Sequence, residues 1–160
     1  MTEDDLDVML AIRNAPEVIA TTSTGEPLPR EQMAGQLQRR AESWRARGLG
    51  SWLILLEEPG SFAEVAPIGE GSGVDPEEIE LGVIVHPDHW GRGFAGEAGL
   101  AVARDCFERV GLERVYAGVD PDNEKSLRVL AKAPGVKQVG EEFYELTAAA
   151  FASPTPRGVG

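Results

Sequence analysis

The chain has 160 residues, 42% apolar and 26% charged, a composition that fits one globular domain and argues against global disorder. Its 27 acidic and 15 basic residues give a net charge of −12, which excludes a nucleic acid or an anionic membrane surface as the main ligand and favours a cationic partner such as an amine. The single cysteine, Cys106, excludes a disulfide framework; with an acidic start at Met1-Thr2-Glu3-Asp4-Asp5 and no apolar run long enough to span a bilayer, a cytoplasmic protein is expected.

The first helix is predicted from a cap at Thr2 or Asp4 to Ala15, with Leu6, Met9, Leu10 and Arg13 on one side and Pro16 ending it. A second spans Arg30 to Arg47, where Met33, Leu37, Ala41 and Trp44 recur at helical spacing and Gly48 and Gly50 act as terminators. Its other face collects Arg39, Arg40, Arg45 and Arg47 and reads as solvated. Trp52–Leu56 is an unbroken apolar run that reads as a buried strand. A further strand is expected near Phe62–Ile68 within an irregular 59–75 segment, followed by the Gly- and acid-rich loop Gly69–Pro76. Over Ile79–His86 the pattern alternates: Ile79, Leu81, Val83 and Val85 point one way, and Glu80, Gly82, Ile84 and His86 the other. A glycine-rich turn then opens a helix over Phe94–Val110, closed by Gly111. Arg114–Val119 reads as a strand, Asn123–Ala133 as a helix cut short by Pro134, and Val136–Val139 with Phe143–Leu146 as a closing hairpin. The resulting order is a mixed α/β domain over residues 1–147 with a parallel βαβ crossover at its centre, and a tail from Ala148 to Gly160 that is expected to fray.

Gly91-Arg92-Gly93-Phe94-Ala95-Gly96 matches G-x-G-x-x-G between a strand and a helix, where successive free backbone N–H groups suit a pyrophosphate. An NAD(P)-type dinucleotide would use this turn with Asp120 on a ribose hydroxyl. Against that reading, Pro87–Trp90 separate His86 from Gly91, the motif lies past mid-chain, and Asp120-Pro121-Asp122-Asn123 reads as a loop and helix cap. Coenzyme A carries the same diphosphate and meets none of these objections, with Arg92 supplementing the amides.

The stretch from Ile79 to Ala98 resembles motif A of the GNAT acetyltransferase superfamily, with Trp90, Gly91, Arg92, Gly93, Phe94 and Ala95 on the pattern Gln/Arg-x-x-Gly-x-Gly/Ala. Ala11–Val18 is similar to the opening helix of the branch that contains the ribosomal-protein N-terminal acetyltransferases. Asn123-Glu124-Lys125-Ser126-Leu127-Arg128-Val129-Leu130 is similar to that branch's Asn-x-x-Ser element. The resemblance covers residues 5–146. The chain departs from the pattern at Trp90, at Pro134 where the family has Gly, and at Leu130 where many members carry Tyr.

The resemblance implies an acyl-CoA N-acyltransferase fold with splayed central strands, acetyl-CoA as cofactor, and direct transfer to a primary amine in a ternary complex. It implies a coenzyme A site of Val83, Val85, Gly91, Arg92, Gly93, Phe94, Ala95, Gly96, Asn123 and Ser126. The pantetheine arm would lie between the parted strands, its thioester oxygen meeting a backbone N–H near Val83 to Val85. Glu80 is the first candidate for the base, with His86 competing; otherwise Glu80 is a solvated acid or an arginine partner. Ser126 would bond the departing sulfur in place of the absent Tyr, with Tyr144 as the alternative, while Asn123 would orient pantetheine or water, or simply cap a helix. Lys125 and Arg128 read as solvated or as reaching the adenosine phosphates, Cys106 as core, and Trp44, Trp52 and Trp90 as packing, Trp90 also shaping the cofactor channel. Glu70, Asp75, Glu77, Glu78 and Glu80 would give the acceptor side a negative field. The acceptor is then a protein N-terminus or a small amine, no metal site is expected, and monomer and homodimer both remain open. A degenerate acyl-CoA-binding sensor without turnover is the competing reading.

Overall fold

The computed structural model describes residues 3–22, 24–55, 59–67 and 78–152. A 3-10 turn at Glu3–Asp5 leads into α1 (Leu6–Arg13) and then α2 (Pro16–Ile19). The second of these was not expected: Pro16 stops one helix but, with its φ preset, also starts the next. Helix α3 (Arg30–Arg47) has its predicted bounds and closes at Gly48, whose φ of 65° requires a glycine-like residue.

Among the described residues, strands β1 (Ser51–Leu55), β2 (Pro59–Pro67), β3 (Ile79–Val85), β4 (Arg114–Gly118), β5 (Lys137–Gln138) and β6 (Phe143–Thr147) form a six-stranded sheet in the order β1-β2-β3-β4-β6-β5. The β3–β4 pair is parallel and the rest are antiparallel. Strand β1 is an edge strand rather than a fully buried one, and Leu55 at its end is 74% exposed. Strand β2 pairs with β3 from Pro67 opposite Ile79 to Ser61 opposite Val85, so the segment read as irregular is regular through residue 67. The loop Gly69–Pro76 lies outside the described residues.

The alternation in β3 divides the molecule into two cores. Ile79 and Leu81 join Val102, Ala103, Cys106, Val115, Ala117 and Leu146 on the face covered by α4 (Phe94–Asp105). On the opposite face Ile84 packs against Met9, Ile12, Met33 and Leu37 of α1 and α3. The chain continues from α4 through a π turn, Cys106–Val110, to Gly111 at φ 82°. Helix α5 (Glu124–Leu130) ends before the predicted Ala133: the chain tightens into i to i−3 turns, Lys132 N–H on the Val129 carbonyl and Ala133 N–H on that of Leu130, ahead of Pro134. Ala148–Ala152, expected to fray, forms α6, whose Phe151 ring meets Phe107 edge to face at 5.1 Å between centroids.

Candidate functional site

Among the described residues β3 and β4 pair at one position, Glu80 with Tyr116. Beyond it the strands part, leaving the rest of β3 held by β2 on one edge and facing a gap on the other. Strand backbones direct successive N–H groups to alternate edges, so part of the 81–85 stretch, which includes Val83 and Val85, presents donors to that gap. On its other edge β4 pairs continuously with β6, from Arg114 opposite Thr147 to Gly118 opposite Phe143.

The glycine turn lies past the end of β3. His86 caps a 3-10 turn at Pro87–His89, its Nδ1 accepting from the Asp88 N–H at 3.4 Å. Trp90 then donates its indole N–H to the Val85 carbonyl at 2.7 Å, which folds the turn back on the strand. Gly91 and Gly93 have φ of 76° and 87°, and a Cβ at either would find nothing within 4 Å, so the outer side of the turn is open. Gly93 is the N-cap of α4 without a side-chain cap; its carbonyl accepts from Glu97, and the first-turn N–H groups of Phe94, Ala95 and Gly96 precede the first helical bond. This is a cradle suited to an anionic diphosphate. Arg92 folds over the Phe94 ring at 4.8 Å, with Nη1 3.2 Å from His89 Nδ1, so it stands beside the turn.

Helix α5 flanks the turn. A Cβ on Gly96 would touch Val129 at 3.7 Å, and Lys125 Nζ lies 4.5 Å from the Trp90 ring centroid. Asn123 caps α5, its Oδ1 accepting from the Ser126 N–H at 3.1 Å, so the capping role is real. Ser126 is half-buried in the first turn. Asp120 accepts from the Asp122 N–H at 2.8 Å, the loop geometry that weighed against a dinucleotide reading.

Glu80 shares its sheet face with Tyr116 and Glu145 by register, and Tyr116 donates to Glu145 Oε2 at 3.5 Å. Arg114 flanks this row, 3.8 Å from Glu145, and its guanidinium is held charged first by Tyr116 and then by Glu78 and Glu145. The Glu80 carboxylate reaches across to β4: a Cβ built on Gly118 would sit 2.6 Å from Oε1 and 3.4 Å from the Phe143 ring. Tyr144 pairs with Ala117 and therefore stands on the opposite sheet face, so Glu80 and Tyr144 are not brought together. Glu70, Asp75 and Glu77 lie outside the described residues. Gly118 and Phe143 were missed because their nearness to Glu80 is a matter of strand register, which leaves no local trace in sequence.

Residues 1–134 match the family model of the acetyltransferase (GNAT) domain, and the chain belongs to that family. Among curated proteins, the "Uncharacterized N-acetyltransferase YoaA" of Bacillus subtilis (strain 168) is 43% identical over 53 residues. That match spans 33% of this chain and 30% of the relative. Among solved structures, a putative GnaT-family acetyltransferase from Bordetella pertussis superposes with TM-score 0.69 at 22% identity, covering 90% of both chains. The aminoglycoside acetyltransferase AAC(6')-Ib, solved with ribostamycin and coenzyme A, gives TM-score 0.72 at 16% identity over 94% of this chain and 92% of that one. At these identities the structural likeness establishes the fold, a mixed α/β sheet of GNAT type. No helix among the described residues is long and apolar enough to cross a membrane.

Proposed function

We propose that this protein is an acetyl-CoA-dependent N-acetyltransferase acting on a primary amine. The observation that carries the reading is the juxtaposition of three features. A gap opens between β3 and β4, an uncapped glycine turn at the N-terminus of α4 lies past the end of β3, and the Glu80 carboxylate leans across to β4 beside the last paired position. Acetyl-CoA, when bound, supplies the activated acyl thioester. The backbone amides of the turn and first helical turn, from Gly91 to Gly96, would hold its diphosphate, and the gap-facing backbone from Val83 to Val85 would accept the pantetheine arm and offer a donor to developing negative charge.

In this reading Glu80 takes the proton of the acceptor ammonium, directly or through water, and so exposes the nitrogen lone pair. Ser126 offers a hydroxyl at the thiol end, and Asn123 keeps that hydroxyl in place by fixing the first turn of α5. The positive end of α4 and the surrounding N–H groups offset the repulsion a chain of charge −12 would exert on an anionic cofactor. The amine is a protein N-terminus, as in the ribosomal-protein branch, or a small polyamine-like or aminoglycoside-like amine. AAC(6')-Ib, with the same fold and ribostamycin bound, supports the small-amine arm.

The test is thiol release over a panel of peptides and small amines, with the Glu80→Gln variant alongside. Turnover on one acceptor class, and loss of the acidic limb of the pH profile in the variant with coenzyme A affinity retained, is the expected result. Coenzyme A binding without turnover on any acceptor would favour the sensor reading instead.

A further inference from the structure

We infer that Gly118 is a positioning residue: its missing side chain is the seat in which the Glu80 carboxylate rests. The inference rests on the reading of Glu80 as base, and it concerns a residue of β4 to which neither motif nor pattern points. Glu80 belongs to β3, yet the space its Oε1 occupies is the space of a β-carbon on Gly118, 2.6 Å away, a separation that real β-carbons do not show. Gly118 is on the same sheet face as Tyr116, the pairing partner of Glu80, and lies toward the end where the strands have separated. The carboxylate is therefore drawn off its own strand and across to β4.

The glycine is not required by the backbone. Its φ is not positive, and at the last position of β4 it still pairs in register with Phe143. A glycine at a paired strand position forgoes side-chain packing, and at residue 118 that bare position is matched by a close approach from another group. The close group here is Glu80, with the Phe143 ring beside it at 3.4 Å from the same Cβ position, near the limit of ordinary contact. A methyl at residue 118 therefore meets the carboxylate first, and the carboxylate is the flexible partner that must yield.

The test is a double-variant cycle of Gly118→Ala with Glu80→Ala and Glu80→Gln, read by thermal unfolding, coenzyme A calorimetry and initial rates. In the wild-type background Gly118→Ala is expected to lower kcat by at least ~10-fold through misplacement of the base. Coenzyme A affinity should stay within about twofold, because no diphosphate-binding group is touched. In the Glu80→Gln background the same change should add little to the loss of rate. Any loss of melting temperature caused by Gly118→Ala should disappear in the Glu80→Ala background, where the colliding group is gone. A 13C-labelled Glu80 carboxyl resonance, assigned with the Glu80→Gln variant, should move in Gly118→Ala. An equal penalty in both backgrounds, or an unmoved resonance, overturns the inference. A fully active Glu80→Gln variant instead removes the base reading, whereas the stability coupling and the resonance still report on the seat itself.

Discussion

The Lys125 ammonium lies over the face of Trp90, 4.5 Å from the ring centroid, and so joins the first turn of α5 to the glycine turn before α4. Trp90 is the one departure from the motif at a position where the family pattern has Gln or Arg. The ring supplies no charge of its own, but it holds one from another helix. Lys125→Gln is therefore expected to cost roughly 0.5–1 kcal/mol of stability in a urea titration, the range for an exposed cation–π contact. Coenzyme A affinity should fall with it and become less sensitive to salt, as isothermal calorimetry at two ionic strengths would reveal.

Gly93→Ala should separate torsional strain from steric exclusion. The φ of 87° makes any L side chain unfavourable there, at about 1–2 kcal/mol, while the added carbon touches nothing in the free protein. Folding should survive, as far-ultraviolet dichroism would report. Coenzyme A affinity should drop by at least ~10-fold, since the methyl group would stand where the phosphate approaches. Gly93→Val, with a branched side chain, should abolish binding; undiminished affinity would remove the turn from the cofactor site.

Asn123 is expected to act first as a cap. Asn123→Ala removes the acceptor for the Ser126 N–H and should destabilise the protein by ~1 kcal/mol. Asn123→Asp keeps an acceptor and should restore most of that stability. If the rate of the Asp variant also recovers, the amide has no separate role toward cofactor or water; a rate that stays low while stability returns assigns it one.

Cys106 is fully buried, and burial, ahead of the neighbouring Asp105 charge, pushes its thiol up to about 11 from 9.0. The unfolded chain therefore releases this proton first as pH rises. The contribution of the neutral thiol is complete below pH 9.0 and is lost progressively as pH climbs to about 11. Wild-type stability should decline more steeply across that window than that of Cys106→Ala, measured by denaturant titration at stepped pH. The native thiol should also resist a disulfide reagent until the protein unfolds.

The central unit was legible because each of its signals is local. Alternation from Ile79 to Val85 fixed which residues face which core, the glycines fixed the turn, and Gly111 fixed the stop after the helix. Where two signals competed at one residue the outcome was harder to read: Pro16 both ended α1 and began α2. The edge position of β1 was hidden because an unbroken apolar run looks the same whether one or two neighbours pair with it. Ala148–Ala152 looked like a tail because alanines carry no amphipathic pattern, yet it is docked by Phe151 on Phe107, by the Ala148 N–H on the Glu113 carbonyl and by Ala150 against Gly135. Near the proposed site, the alternation gave the sheet face on which Glu80 stands. Its approach to Gly118 depends on where β4 lies, which only the assembled sheet specifies.

The single Glu80–Tyr116 pairing also has a mechanical meaning. On one side stand β1, β2 and β3 with α1 and α3; on the other, β4 and β6 with β5. Widening the channel between them breaks no rung of the ladder past that one bridge, and α4 spans the two sides through Val102, Ala103 and Cys106 in the shared core. The sheet is thus laid out like a clothes-peg, its jaws sharing no backbone rung past that bridge among the described residues and its spring a helix. With side-chain packing beneath α4 joining halves that few backbone bonds hold, core substitutions far from the jaws are expected to retune how readily they admit a long, thin ligand.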